Sequence, residues 1–156
     1  MKRVIARRVV LRGILVTASA APLGGLIGPT QGCAQGFPSM KIQISFSERN
    51  MTATLEDNPS TRDLASMLPL GGLTIDNYAN NEKISYLPRK LTEDGSGPFG
   101  NERPGDVCYY APWGNLAFFY AGYRWSPGLI RLGRIDGNFD ALLMRGKLPL
   151  RIESLS

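Results

Sequence analysis

The sequence contains no histidine. A cysteine nucleophile ordinarily takes its base from histidine, so thiol catalysis of that kind is excluded. Cysteine is itself scarce, with only Cys33 and Cys108 present. Cys108 stands in an apolar strand pattern and reads as a buried free thiol. If Cys33 leaves with a cleaved leader, no intramolecular disulfide can form. No apolar run reaches the ~20 residues needed to span a bilayer. The stretch Gly13 to Gly28 falls short and contains Pro22 and several glycines, so no permanent membrane span is expected. Acidic residues are absent from the first 34 positions, which hold Lys2, Arg3, Arg7, Arg8 and Arg12. Removing those five from the 18 basic residues leaves 13, equal to the 13 acidic ones. The net charge of +5 therefore belongs to the N-terminal segment, and no nucleic-acid partner is expected.

What is present begins with that segment. A basic start, a mildly apolar middle rich in Ala and Gly, and small residues near position 34 are the parts of an export signal. Arg7-Arg8 with Leu11 resembles the twin-arginine motif, with Ala6 where Ser or Thr is usual and Val10 where Phe is usual. Residues 1–34 are read as the leader, cleaved before Gln35, and residues 35–40 as a linker. The export machinery is then a partner, and the location is periplasmic or otherwise extracytoplasmic. A lipid anchor at Cys33 is the alternative, although Thr30-Gln31-Gly32 is a poor lipoprotein box. A translation start at Met40 is a further alternative, against which the ordered parts of the leader argue.

The remaining 41–156 are long enough for one hydrophobic core without staples. Ile42, Ile44 and Phe46 alternate with polar residues, as do Met51, Ala53 and Leu55 across the turn Ser47–Asn50, which predicts a hairpin. Asn58 suits a helix cap and Pro59 the first helical position. Leu64, Met67 and Leu68 then share a face, and Pro69 stops the helix at Leu68. Strands are expected at 73–78, 82–87, 106–111, 115–121 and 129–135, with a loop over 88–104. A second short helix is expected at 138–144, and a last strand through Leu148, Leu150 and Ile152, with Pro149 at an edge or a strand start. Leu116 to Tyr120 is almost wholly apolar, so both faces of that strand should be covered. Eight strands and two short helices make a mostly β fold, and closing the sheet into a barrel removes its edges.

Several chemistries fail on spacing. Asp136-Gly137-Asn138-Phe139-Asp140 suggests a calcium loop, but Ala141 and Lys147 stand where Gly and Glu are needed, so no metal is expected. Gly71-Gly72 and Gly95-Ser96-Gly97 lack the strand–loop–helix context of a phosphate cradle. No cofactor is expected. Aromatic residues are dense between Tyr109 and Trp125, and they read as core and loop packing with some lining an apolar pocket. Tyr86 and Arg89 are expected at the same barrel mouth.

Leu55-Glu56-Asp57-Asn58-Pro59, Leu68-Pro69-Leu70, Pro104-Gly105-Asp106-Val107, Tyr110-Ala111-Pro112-Trp113-Gly114-Asn115 and Leu132-Gly133-Arg134-Ile135 together resemble a bacterial cyclophilin-like family over 41–153. The resemblance implies a closed eight-stranded barrel with capping helices. Compared with the prolyl isomerases of the cyclophilin type, Phe119 falls at the pocket phenylalanine, Ala117 at the functional glutamine and Leu129 at the pocket histidine. Trp125 lies one residue from the pocket tryptophan. The catalytic Phe-His-Arg motif has no counterpart, and residues 73–87 contain no arginine. The resemblance thus implies a binding module for a small molecule or peptide, with Tyr86, Arg89, Trp113, Phe119 and Trp125 as ligand-binding residues and none catalytic. A divergent peptidyl-prolyl isomerase is the alternative, or a structural protein of an exported complex.

Overall fold

A computed structural model describes residues 39–155. The export leader, its exit near Gln35, Cys33 and most of the 35–40 linker lie outside the described residues. Among those described, no helix is long and apolar enough to cross a membrane.

Eight strands form one closed antiparallel barrel. They are β1 (Lys41–Phe46), β2 (Arg49–Leu55), β3 (Leu70–Tyr78), β4 (Glu82–Tyr86), β5 (Asp106–Tyr110), β6 (Asn115–Phe119), β7 (Leu129–Ile135) and β8 (Leu148–Leu155). Around the barrel the order is β1-β2-β7-β5-β6-β4-β3-β8, and β8 closes on β1. The first hairpin turns on two residues rather than four. Ser47 and Glu48 both take positive φ, at 47° and 60°. That backbone matches the twist of the flanking strands, so Arg49 and Asn50 join the ladder opposite Phe46 and Ser45.

The helix α1 (Pro59–Ala65) starts as expected. The Asn58 side chain accepts from the Thr61 amide at 2.9 Å, and its Nδ2 donates to the Arg131 carbonyl at 3.0 Å. One residue thus caps the helix and ties it to β7. The helix ends three residues before Leu68. Met67 and Leu68 donate to carbonyls three residues back, at 3.0 and 3.2 Å, tightening the chain before the cis Leu68–Pro69 bond. Leu64 is fully buried, and Met67 and Leu68 pack partly against the core. β3 begins at Leu70 rather than Leu73, because Gly71-Gly72 forms a bulge within the strand instead of a turn before it. The second expected helix is a single 3₁₀ turn, Asp140–Leu143. Asn138 Oδ1 accepts from the Asp140 amide at 2.6 Å, and Gly137 and Gly146 bracket the segment with positive φ, which leaves no room for an α-helix.

Two hydrophobic clusters result. The larger fills the barrel with Ile42, Ile44, Ile75, Val107, Tyr109, Leu116, Phe118, Leu132 and Ile152, among others. The smaller sits on the outer face of β5, β6 and β7, formed by Cys108, Ala117, Phe119 and Leu129. Alternate residues of β6 serve the two clusters, so the strand is covered on both faces. β4 inverts the expected apolarity. Lys83 and Ser85 face inward and are fully buried, while Glu82, Ile84 and Tyr86 face out. Lys83 Nζ donates to Asn77 Oδ1 at 3.2 Å, and burial pushes its pKa down.

The loop 88–104 is strapped to the barrel. Asp63 of α1 accepts from Arg89 at 2.6 and 3.1 Å and from the Thr92 amide at 2.8 Å. Tyr109 reaches out of the core to accept from the Leu91 amide at 3.1 Å.

Candidate functional site

Among the described residues the large cluster fills the barrel interior. A cavity lies on the outer wall, over the smaller cluster. It measures about 330 Å³, at the small end of ligand pockets. Its walls come from Tyr78 at the end of β3, Glu82 and Ile84 of β4, Tyr110 of β5, Asn115 and Phe119 of β6, and Leu129 of β7. Trp113 from the β5–β6 turn and Asn81, Tyr123, Arg124 and Ser126 from loops complete it.

The aromatic rings are held in two sets. Tyr78 and Tyr110 stand nearly perpendicular to Trp113, with centroids 5.2 and 5.4 Å away. Tyr123 stacks on Phe119 at 3.6 Å, almost parallel. The Tyr123 hydroxyl donates to Asp106 Oδ2 at 2.6 Å, which anchors the covering loop to a fully buried carboxylate. The Asn81 carbonyl accepts from the Tyr120 and Ala121 amides at 2.9 and 3.2 Å, pinning the loop from the other side.

The sequence-derived candidates separate. Trp113 and Phe119 line the cavity. Trp125 packs against the smaller cluster, and its Nε1 donates to the Leu129 carbonyl at 3.0 Å. Tyr86 lies beside the cavity on an exposed aromatic surface shared with Tyr78, Ile84 and Trp113. Arg89 points to Asp63 of α1 and does not line the cavity. Of the positions compared with the isomerases, Leu129 lines the cavity and Ala117 lies in the cluster below.

Glu82, Asn115 and Arg124, with Asn81 and Ser126, are the polar lining residues that sequence reasoning missed. Glu82 becomes visible once β4 is read with Lys83 inward, since 82, 84 and 86 must then share the outer face. Arg124 lies on a loop and carries no local signal. Burial pushes the Glu82 carboxyl up to about 7. Asn115 is 1% exposed, and its Oδ1 has no hydrogen-bond partner.

Cys108 is inert at this site. It is fully buried, and desolvation pushes its thiol up to about 12. Asp136, the first residue of the loop that suggests calcium, accepts instead from Lys41 Nζ at 2.9 Å and Thr54 Oγ1 at 2.8 Å. A second cavity of about 290 Å³ lies between the start of β1 and α1, lined by Met40, Leu55 and Arg62 among others.

The fold and site define a closed β-barrel with an aromatic-walled pocket on its wall. The solution structure of the hypothetical protein AF2241 from Archaeoglobus fulgidus shares this fold. Its TM-score is 0.60 at 18% identity, over 77% of this chain and 98% of that one. A model of the cyclophilin-like family matches residues 44–153, and the chain belongs to that family. A search of curated proteins returned no match.

Proposed function

We propose that the chain is an exported binding module. Its outer-wall pocket takes a small molecule or a peptide side chain, without prolyl isomerase activity. The observation that carries this reading is the pocket itself, in which five aromatic side chains converge around polar groups that include Glu82, Asn115 and Arg124. The basic, apolar and small-residue order of positions 1–34 supports export.

Rotation about a prolyl bond faces a barrier of ~18–20 kcal/mol set by amide resonance. Lowering it requires groups that bind the twisted imide more strongly than the planar one. A guanidinium held against the prolyl nitrogen is the device that does so. Arg124 is the one guanidinium lining this pocket, and it favours the isomerase alternative. It is exposed, however, and among the described residues no hydrogen bond holds it in place. Its charge acts on Glu102, which is not a lining residue. Without preorganisation it supplies little transition-state stabilisation. Purified protein is expected to show no turnover above background in a proline-peptide isomerisation assay. Robust turnover that is lost in a folded Arg124→Ala variant overturns this reading and establishes the isomerase.

A further inference from the structure

The pocket's polar groups make a common demand. Asn115 commits its Nδ2 to the Leu116 carbonyl at 3.0 Å, which fixes Oδ1 as an acceptor, and nothing donates to it. Leaving a buried acceptor unpaired is unfavourable, so the site calls for a donor. Glu82 is the one carboxylate among the lining residues, and among the described residues no hydrogen-bond donor reaches it. The walls between are aromatic, and ring faces attract cations. The two acceptors are separated along the wall. On the β4–β6 ladder Glu82 faces Phe119, while Asn115 faces Tyr86, four residues further on.

We propose that the pocket binds a small organic ammonium whose apolar body carries a second hydrogen-bond donor. The ammonium lies toward Glu82, the body lies against Trp113 and Phe119, and Asn115, whose Oδ1 is buried in the free site, turns to accept from the second donor. This rests on the pocket being the binding site and names the class of its ligand. Arg124 opposes a cation, but it is exposed and screened by solvent, whereas Glu82 is half-buried. The other titratable side chains lining the pocket are Tyr78 from β3, Tyr110 from β5 and Tyr123 from the covering loop, and β6 contributes none.

Four probes test this on the full-length protein by ligand-observed NMR. Tyramine has the ammonium and the second donor. Tyrosol is its neutral counterpart, phenethylamine lacks the second donor, and 3-(4-hydroxyphenyl)propionate is anionic. Tyramine is expected to bind about tenfold more tightly than tyrosol, and more tightly than phenethylamine. The preference over tyrosol should grow as pH rises through about 7, where the Glu82 carboxyl ionises. Glu82→Gln, checked for folding by circular dichroism, should erase that preference while leaving tyrosol binding in place. Equal binding of tyramine and tyrosol within the pocket overturns the ammonium class alone. Tighter binding of the propionate does the same and assigns control to Arg124. Failure of all four to bind overturns both this proposal and the pocket as a ligand site.

Discussion

Gly133→Ala is expected to destabilise the fold by about 3 kcal/mol or more, since a methyl group forced into a packed site that cannot relax is costly. Gly133 sits in β7 opposite Leu55 of β2 and Val107 of β5. A Cβ there would lie 2.8 Å from the Leu55 Cα and nearer still to the Thr54 carbonyl oxygen. Both atoms are backbone, so no rotamer change relieves the clash. The junction of β2 with β7 rests on three facing pairs, Ala53–Ile135, Thr54–Arg134 and Leu55–Gly133, flanked by backbone hydrogen bonds from Glu56 to Leu132 and from Asp136 to Thr52. Prising it apart opens the barrel. Gly71→Ala is the control, because it has negative or extended φ and nothing within 4 Å of the added methyl; it should shift stability by less than about 1 kcal/mol. Urea unfolding of the two variants checks the contrast, and equal midpoints would mean that β2 and β7 are not packed this way.

Asp106→Ala is expected to cost about 3–5 kcal/mol, the usual range for removing one partner of a buried ion pair. The Asp106 side chain is fully buried. It accepts from Arg134 Nε, from the Tyr123 hydroxyl at 2.6 Å and from the Arg103 amide at 3.2 Å, with Arg131 Nη1 3.9 Å away. Its loss takes from the partly buried Arg134 guanidinium its only carboxylate partner among the described residues, while Arg131 keeps Glu56, and it releases the loop that carries Tyr123. Asp106→Asn keeps an acceptor but not the charge, and should fall between wild type and alanine. The Phe119–Tyr123 stack should loosen in both variants, read as weaker near-ultraviolet circular dichroism. Wild-type stability in Asp106→Ala would remove this carboxylate from the account of how the loop is held.

Much of the barrel is legible in residue order because its cause is local. The alternation in Ile42–Phe46 and Met51–Leu55 sets which face is buried, and Asn58-Pro59 sets where the helix begins. The continuous apolarity of Leu116–Tyr120 follows from a strand buried on two sides. Other features depend on partners distant in sequence. Whether Gly71-Gly72 is a turn or a bulge is decided by β8, which pairs with residues on either side of it. The inward Lys83 runs against its apolar neighbour Ile84, and Asn77 supplies the polar partner inside. The pocket was only half visible for the same reason. Trp113 and Phe119 stand out in an aromatic-rich stretch, whereas Glu82 and Arg124 are ordinary surface residues until β4 and the 120–128 loop are brought together. Arg89 looked available as a site residue because nothing in its own segment announces Asp63, 26 positions earlier.

The most direct test of the central claim is amide chemical-shift mapping of the full-length protein. The titrant is a mixture of neutral, cationic and anionic aromatic fragments. Saturable shifts are expected, confined to residues 78–84, 110–115 and 119–129. The exposed Trp113 indole N–H should move, while that of Trp125, committed to the Leu129 carbonyl, should move little. Saturable shifts gathered instead around Met40, Leu55 and Arg62, or no saturable shifts at all, would contradict that claim.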